Sequence, residues 1–347
     1  MPIPVARDPE VTHKALQRWF DEGDRGLSEV KVDGEFTMPQ GAGNSNETLL
    51  FSVEHGEGQD RRREELVLRI EASSYSLFMD ASLLEQCEFL RQLESFVSFP
   101  VPEVRWIEAD GGYLGAPFCM MTRAQGRVPP DNAVGVGWPT ELPPDQQHRL
   151  WENAISTFCS IHTDAGRHRV EDVLAPRLHG RTGIVEQLDY WDRYPEWAGV
   201  DDDRLRRVSR WIHGHVPRLT DTALSWGDAR MENMIFDDGL DCTAVLDWEM
   251  VSLGGPLLDL AWWLVFDRFI AETSRPEGYG TRQETIAAWE FLTNISVRDL
   301  AWYETFCAFR LGAICGRIHR LSESMGVDMG GVDLVGSCMD LADQYMG

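Results

Sequence analysis

The chain has 347 residues, 43% of them hydrophobic, which suits about two domains with a sizeable core. Lys and Arg number 32 against 57 Asp and Glu, and the net charge of −25 argues against nucleic acid and anionic lipid as main partners. No early apolar core suggests a signal peptide, and the longest apolar run, 257–270, is broken by Asp259, Asp267 and Arg268, which argues against a membrane partner.

Asp8, Pro9 and Glu10 form a helix start, with the helix running to about residue 21. Residues 29–36 and 49–53 read as strands on either side of a turn at 40–46. A charged hairpin loop over 54–65 leads to an apolar strand at 66–70. Leu83, Leu84, Leu90 and Leu93 place a helix within 79–96, and strands follow at 104–108 and 117–121. These elements predict an α+β unit over residues 1–123 with a largely antiparallel five-stranded sheet. From 124 to 347 helices dominate, after a Gly- and Pro-rich connection at 126–144. The helices are expected near 144–163, 184–197, 202–216, 256–271, 284–291, 297–321 and 332–345, with short strands at 234–236 and 244–246. Seven scattered cysteines without CxxC spacing indicate neither a zinc site nor a disulfide framework, so reduced thiols in a cytoplasmic protein are expected.

The segment carrying chemistry is Ser225-Trp226-Gly227-Asp228-Ala229-Arg230-Met231-Glu232-Asn233, followed by Val245-Leu246-Asp247-Trp248-Glu249. The five-residue step from Asp228 to Asn233 is the Asp-to-Asn spacing of kinase catalytic loops. Phosphoryl transfer depends on positioning and charge stabilisation. One carboxylate meets the attacking hydroxyl, while an amide oxygen and a second carboxylate suit Mg²⁺, a hard cation that takes oxygen ligands. A lone DxxxxN has little specificity. Here it lies beside apolar strand residues and is followed by Asp-Trp-Glu.

In this pattern the chain resembles the aminoglycoside phosphotransferase/choline kinase superfamily, in particular the branch that includes kinase-like domains of acyl-CoA dehydrogenase fusions. The resemblance covers nearly the whole chain. It also includes Gly43-Asn44-Ser45-Asn46, Leu66-Val67-Leu68-Arg69, Phe99-Pro100-Val101-Pro102-Glu103-Val104, Leu114-Gly115-Ala116-Pro117-Phe118 and the stretch from Gly255 to Trp262. It implies a protein-kinase-like two-lobed fold and an ATP- (or GTP-) and Mg²⁺-dependent kinase acting on a small-molecule hydroxyl. Asp228 would be the catalytic base, with Asn233 and Asp247 as metal ligands. Gly41, Gly43, Asn44, Ser45 and Asn46 would lie over the nucleotide phosphates. Met121, Thr122 and Arg123 would form the adenine-binding hinge.

Three positions depart from the family pattern. Trp226 stands where the family has His, Arg69 replaces the phosphate-binding Lys, and Gly254-Gly255-Pro256 replaces Gly-Asp-Pro. The acid to pair with Arg69 is most simply Glu85, with Glu88 or Gln86 as other registers. Asp189, Asp192 and Glu196 suit a cationic acceptor, while the dehydrogenase-linked branch suggests a hydroxyacyl thioester or another metabolic alcohol. A nucleotide-binding pseudokinase with a regulatory role is the alternative that Arg69 and Trp226 raise. His162 reads as a packed helical residue, and Trp262-Trp263 as core. Arg230 either faces the transferring phosphoryl group or pairs with Glu232.

Overall fold

The computed structural model describes residues 7–39, 46–72, 75–80, 82–130, 137–174, 183–218, 222–328 and 330–347, with backbone alone for 270–274. The chain divides into two compact units. The smaller comprises Pro2–Ser95 and Val101–Ala124, and the larger Phe96–Pro100 and Gln125–Gly347.

The smaller unit is built on one antiparallel sheet in the order β1-β2-β3-β5-β4: β1 (Lys31–Val32), β2 (Asn46–His55), β3 (Arg62–Glu71), β4 (Val104–Glu108) and β5 (Phe118–Thr122). Helix α1 (Pro9–Glu22) begins where Asp8 accepts from the N–H groups of Glu10 and Val11. Its buried Leu16, Trp19 and Phe20 join Val53, Leu66, Leu68 and Ile70 in the core on one face of the sheet. Helix α2 (Leu83–Glu94) packs on β3, β4 and β5 through its own buried stripe, including Leu83, Leu90 and Leu93. The strands β2 and β3 extend beyond the expected spans into the charged stretch at 54–65 from its two ends, leaving a turn at 56–61. Along β3 Leu66, Leu68 and Ile70 alternate inward, and at its exposed start Arg62 and Arg63 pair in register with His55 and Glu54, so charge does not interrupt pairing. β1 is shorter than expected, and Glu29 just before it takes a left-handed φ of 49°.

A disulfide joins Cys87 of α2 to Cys119 of β5, which corrects the expectation of reduced thiols throughout. The two lie 32 residues apart in sequence, and only the packing of α2 on the sheet brings them together.

The larger unit is mainly helical: α3 (Trp138–Glu141), α4 (Pro144–Thr163), α5 (Arg167–Leu174), α6 (Ile184–Ala198), α7 (Asp203–Gly214), α8 (Pro256–Ser274), α9 (Arg282–Thr293), α10 (Leu300–Ser324) and α11 (Leu334–Met346). Helix α10 is buried along most of its length and packs against α6, α7, α8 and α11. A small hairpin, β6 (Met234–Phe236) and β7 (Cys242–Val245), pairs Met234 with Val245. Segment 96–100 belongs to this unit: Phe99 stacks on Trp248, the Pro100 carbonyl accepts from Val245 N–H, and Ser98 donates to Asp164. Among the described residues no helix is long and apolar enough to cross a membrane.

Candidate active site

In the larger unit, residues 225–233 are held from beneath by a buried carboxylate. Asp259, in the first turn of α8, has no solvent exposure. Its Oδ1 accepts from Ser225 Oγ at 2.7 Å and Gly227 N at 2.8 Å, and its Oδ2 accepts from Trp226 N at 2.5 Å. Hydrogen bonds to a buried carboxylate are charge-assisted, so this one side chain fixes three consecutive residues of the loop. His162, 2% exposed on α4, has Nε2 3.3 Å from Asp259 Oδ2, off the line of a hydrogen bond, and packs edge-on against Phe158 and Trp289. Ser225 and Ser252 form an antiparallel bridge at the loop's start. Gly227 has φ +98°, and a Cβ there would lie 2.2 Å from the Met250 carbonyl oxygen, so this turn requires glycine.

Asp228 projects from that anchored turn. Its Oδ1 accepts from Trp262 Nε1 at 2.6 Å, and its Oδ2 from Asn233 Nδ2 at 2.7 Å and Arg230 Nε at 3.3 Å. Asn233 Nδ2 also donates to the Asp228 carbonyl at 3.0 Å, so the amide nitrogen is committed and Oδ1 is the atom left for a cation. The backbone of Asn233 accepts from Leu246 N–H at 2.8 Å, which sets Asp247 beside the same hairpin end. Asp247 has φ 58°, a left-handed conformation unusual for a non-glycine residue. Trp226 is fully buried and donates from Nε1 to the Leu246 carbonyl at 2.8 Å, tying the loop to the turn that presents Asp247.

The structure thus brings Asp228 and Asn233 into direct contact, with Asp247 on the paired chain. Two hard oxygen donors fit a magnesium ion that takes its remaining ligands from water and phosphate. Among the described residues no group of three or more His, Cys, Asp or Glu gathers as a metal site.

The residues expected to bind nucleotide belong to the smaller unit. Gly41, Gly43, Asn44 and Ser45 lie outside the described residues, while Asn46 opens β2 and is buried. Arg69 pairs in register with Thr48 on one side and Cys119 on the other, so these three share a face of the sheet. Cys119 is bonded to Cys87 of α2, so Arg69 is on the α2 face. Glu85 sits exposed in the first turn of α2, and its backbone N–H donates to Ser82 Oγ. Glu71, two residues beyond Arg69, accepts from Leu83 N–H at the start of that helix. Met121 is buried in β5, while the N–H groups of Thr122 and Arg123 donate to the carbonyls of Glu103 and Glu65.

Two groups escaped sequence reasoning. Asp259 had registered as a break in an apolar run and as part of the stretch from Gly255 to Trp262, without a role of its own. Trp262 is core, 1% exposed, yet it also holds Asp228. An acid in the first turn of a helix, set among Leu257, Leu258, Leu260 and Ala261, was the available signal for the first. Of the acids expected to line an acceptor site, Asp192 is paired with His213 at 2.8 Å. Glu186, in the first turn of the same helix α6, has its carboxyl pushed above the usual range by burial, against the opposing pull of a Gln187 hydrogen bond and Arg310.

The profile of the phosphotransferase enzyme family matches residues 38–293. Acyl-CoA dehydrogenase family member 10 of Mus musculus is 27% identical over 266 residues, 75% of this chain but only 22% of that protein. Thus the match spans less than a quarter of that relative's length. A solved putative aminoglycoside phosphotransferase of Ralstonia eutropha superposes with a TM-score of 0.66 at 18% identity, covering 96% of this chain and 97% of the other. A thermostable aminoglycoside phosphotransferase mutant, solved with AMP-PNP and hygromycin B, gives 0.54 at 16% identity over 95% and 98%. The fold is the kinase-like α+β fold of these proteins.

Proposed function

Since the chain belongs to the phosphotransferase enzyme family and is an enzyme of the small-molecule kinase type, we propose that it transfers the γ-phosphoryl group of ATP (or GTP) to a hydroxyl of a small molecule in a Mg²⁺-dependent reaction. The observation that carries this reading is the Asp228 carboxylate, held by Trp262, Asn233 and Arg230 on a loop anchored by Asp259. Asp228 would meet the acceptor hydroxyl and take its proton as oxygen bonds to the γ-phosphorus and the nucleoside diphosphate leaves. Asn233 Oδ1 and the Asp247 carboxylate would hold Mg²⁺, which when bound supplies neutralisation of phosphate charge. Arg69 would contact phosphate, as a guanidinium can with two parallel donors.

The dehydrogenase-linked relative supports a hydroxyacyl metabolite as acceptor, and the aminoglycoside phosphotransferase neighbours support an aminoglycoside-like alcohol. Action in a cytoplasm fits ATP supply, although disulfides such as Cys87–Cys119 are commoner in oxidising compartments. The alternative, a catalytically weak nucleotide-binding regulator, is raised by Arg69 and Trp226. A panel of hydroxyacyl thioesters and aminoglycosides, assayed for acceptor-dependent ADP release, separates these readings. Asp228→Ala should lower the rate by about a thousandfold or more while the fold persists. An active Asp228→Ala enzyme would remove that carboxylate from the mechanism.

A further inference from the structure

Arg310 lies midway along α10 with its side chain wholly buried. Its Nε and Nη1 have no hydrogen-bond partner. Aromatic rings surround the guanidinium instead: its carbon lies 4.7 Å from the Trp262 ring centroid, 5.0 Å from Trp191 and 5.9 Å from Phe306. These rings receive the cation on their faces without neutralising it. Burial pulls the guanidinium below its usual pKa, while Cys307, Asp259 and Asp228 act in the opposite direction. An aliphatic side chain of similar volume would fill the same space with no charge to desolvate, so packing alone does not account for an arginine here.

Asp259 and Asp228, two of the carboxylates that feel this charge beside Glu186, are the two that build the catalytic loop. One ring it touches, Trp262, is also the ring whose Nε1–H is bonded to Asp228 Oδ1. We infer that Arg310 is a positioning residue of the catalytic loop: seated on the face of Trp262, it fixes the indole so that Nε1–H holds the Asp228 carboxylate in one orientation. The guanidinium polarises the indole it stacks on, and a polarised N–H is a stronger donor to a carboxylate. Any effect on turnover rests on Asp228 being the group that meets the acceptor. The contact chain from Arg310 through Trp262 to Asp228 does not.

The test combines a spectroscopic and a kinetic readout on the full chain. Protein labelled with ¹⁵N-tryptophan reports the Trp262 indole resonance, assigned by its absence in Trp262→Phe, and slow Mg-ATP hydrolysis without acceptor reports turnover. Arg310→Met should move the Trp262 resonance towards that of an unbonded indole. It should lower kcat about tenfold and leave the KM for ATP within about twofold, because an orientation of Asp228 matters to transfer and not to nucleotide capture. Arg310→Lys, which keeps the charge, should recover most of both. The double variant Arg310→Met/Trp262→Phe should be no slower than Trp262→Phe alone, since the two residues act in series. A folded Arg310→Met with an unmoved Trp262 resonance overturns the proposal, as do fully additive effects in the double variant. If Arg310→Met does not fold, Arg310→Lys decides: a wild-type Trp262 resonance supports the clamp and a displaced one overturns it. Absence of ATP turnover in the wild type would count against the kinase reading, and the resonance measurement would still decide the clamp.

Discussion

Among the described residues of the smaller unit the buried polar ones are few, Thr12, Asn46, Glu47 and Ser52, and they lie on α1 and β2. In the larger unit His162, Ser225, Asn233, Ser252, Asp259 and Arg310 are all buried. Of these, Ser225, Asn233, Ser252 and Asp259 lie in or directly against the loop at 225–233, His162 reaches it through Asp259 and Arg310 through Trp262, while Gln147, Gln187, Thr285, Glu304, Thr305 and Ser322 are buried besides. A sheet with a helix on each face needs only alternating apolar residues to hold its register. A loop that must keep one carboxylate at a fixed angle has no ladder of its own, so its backbone donors are satisfied by buried acceptors placed for that purpose. The contrast marks the loop at 225–233 as a segment whose geometry is held by buried polar groups.

The contrast breaks most sharply at Asp259. Asp259→Ala would leave Ser225 Oγ and two backbone N–H groups buried without an acceptor, a loss of about 3–5 kcal/mol measurable by urea unfolding, with turnover abolished. The Asp228 carboxylate accepts from the side chains of Trp262, Asn233 and Arg230 rather than from the loop's backbone N–H groups, so its removal should leave stability within about 1–2 kcal/mol. Equal stability losses from both would mean that the loop is not divided into an anchor and a reacting group. A sharper distinction comes from Trp226→Phe. It retains the packing against Trp248, with ring centroids 5.9 Å apart, but deletes the bond to the Leu246 carbonyl. A cost of about 1–2 kcal/mol is expected, together with a smaller thermal shift on adding Mg-ATP, because the turn presenting Asp247 loses its tether.

The smallest effect lies in the larger unit's segment 96–100. Burial pushes the Asp164 carboxyl up, but hydrogen bonds from Ser98 Oγ, Ser98 N–H and Gly166 N–H outweigh it and hold the group below its ordinary value of 3.8. A folded-state pKa lowered in this way contributes stability above the ordinary value, and that contribution is lost as pH falls through the folded one. Asp164→Asn should therefore cost only a fraction of a kcal/mol at neutral pH, since solvent screens this largely exposed group, and the gap to wild type in urea unfolding should close in the acid range. A gap independent of pH would show that the carboxylate's charge is not what ties the segment down.

Much of this arrangement was legible because its signals are local. The Asp228-to-Asn233 spacing, the apolar strands beside it and the Asp-Trp-Glu that follows lie within 25 residues, and the antiparallel sheet follows from alternation along each strand. The missing parts are long-range. Asp259 is 31 residues beyond Asp228 and Arg310 is 82 beyond it, each in a helix whose pattern reads simply as core. Helix α5, Arg167–Leu174, went unread because only Val170 and Leu174 are buried, too few to set a period. Trp226 was read as a departure from the family's histidine, and its bond to Leu246 shows that the indole N–H ties loop to turn. The reach of that bond depends on how the hairpin folds back, which no spacing in the sequence states.

The most direct test of the central claim is thermal unfolding with and without saturating Mg-ATP, for wild type beside Asp247→Ala. Binding to the folded state alone raises the melting temperature. The account predicts a Mg²⁺-dependent rise of a few degrees for wild type, on the order of 2–3 kcal/mol at a hundredfold excess over Kd, and its loss in Asp247→Ala. No rise with either ATP or GTP, or an equal rise in the variant, would contradict a nucleotide–metal site built on Asn233 and Asp247.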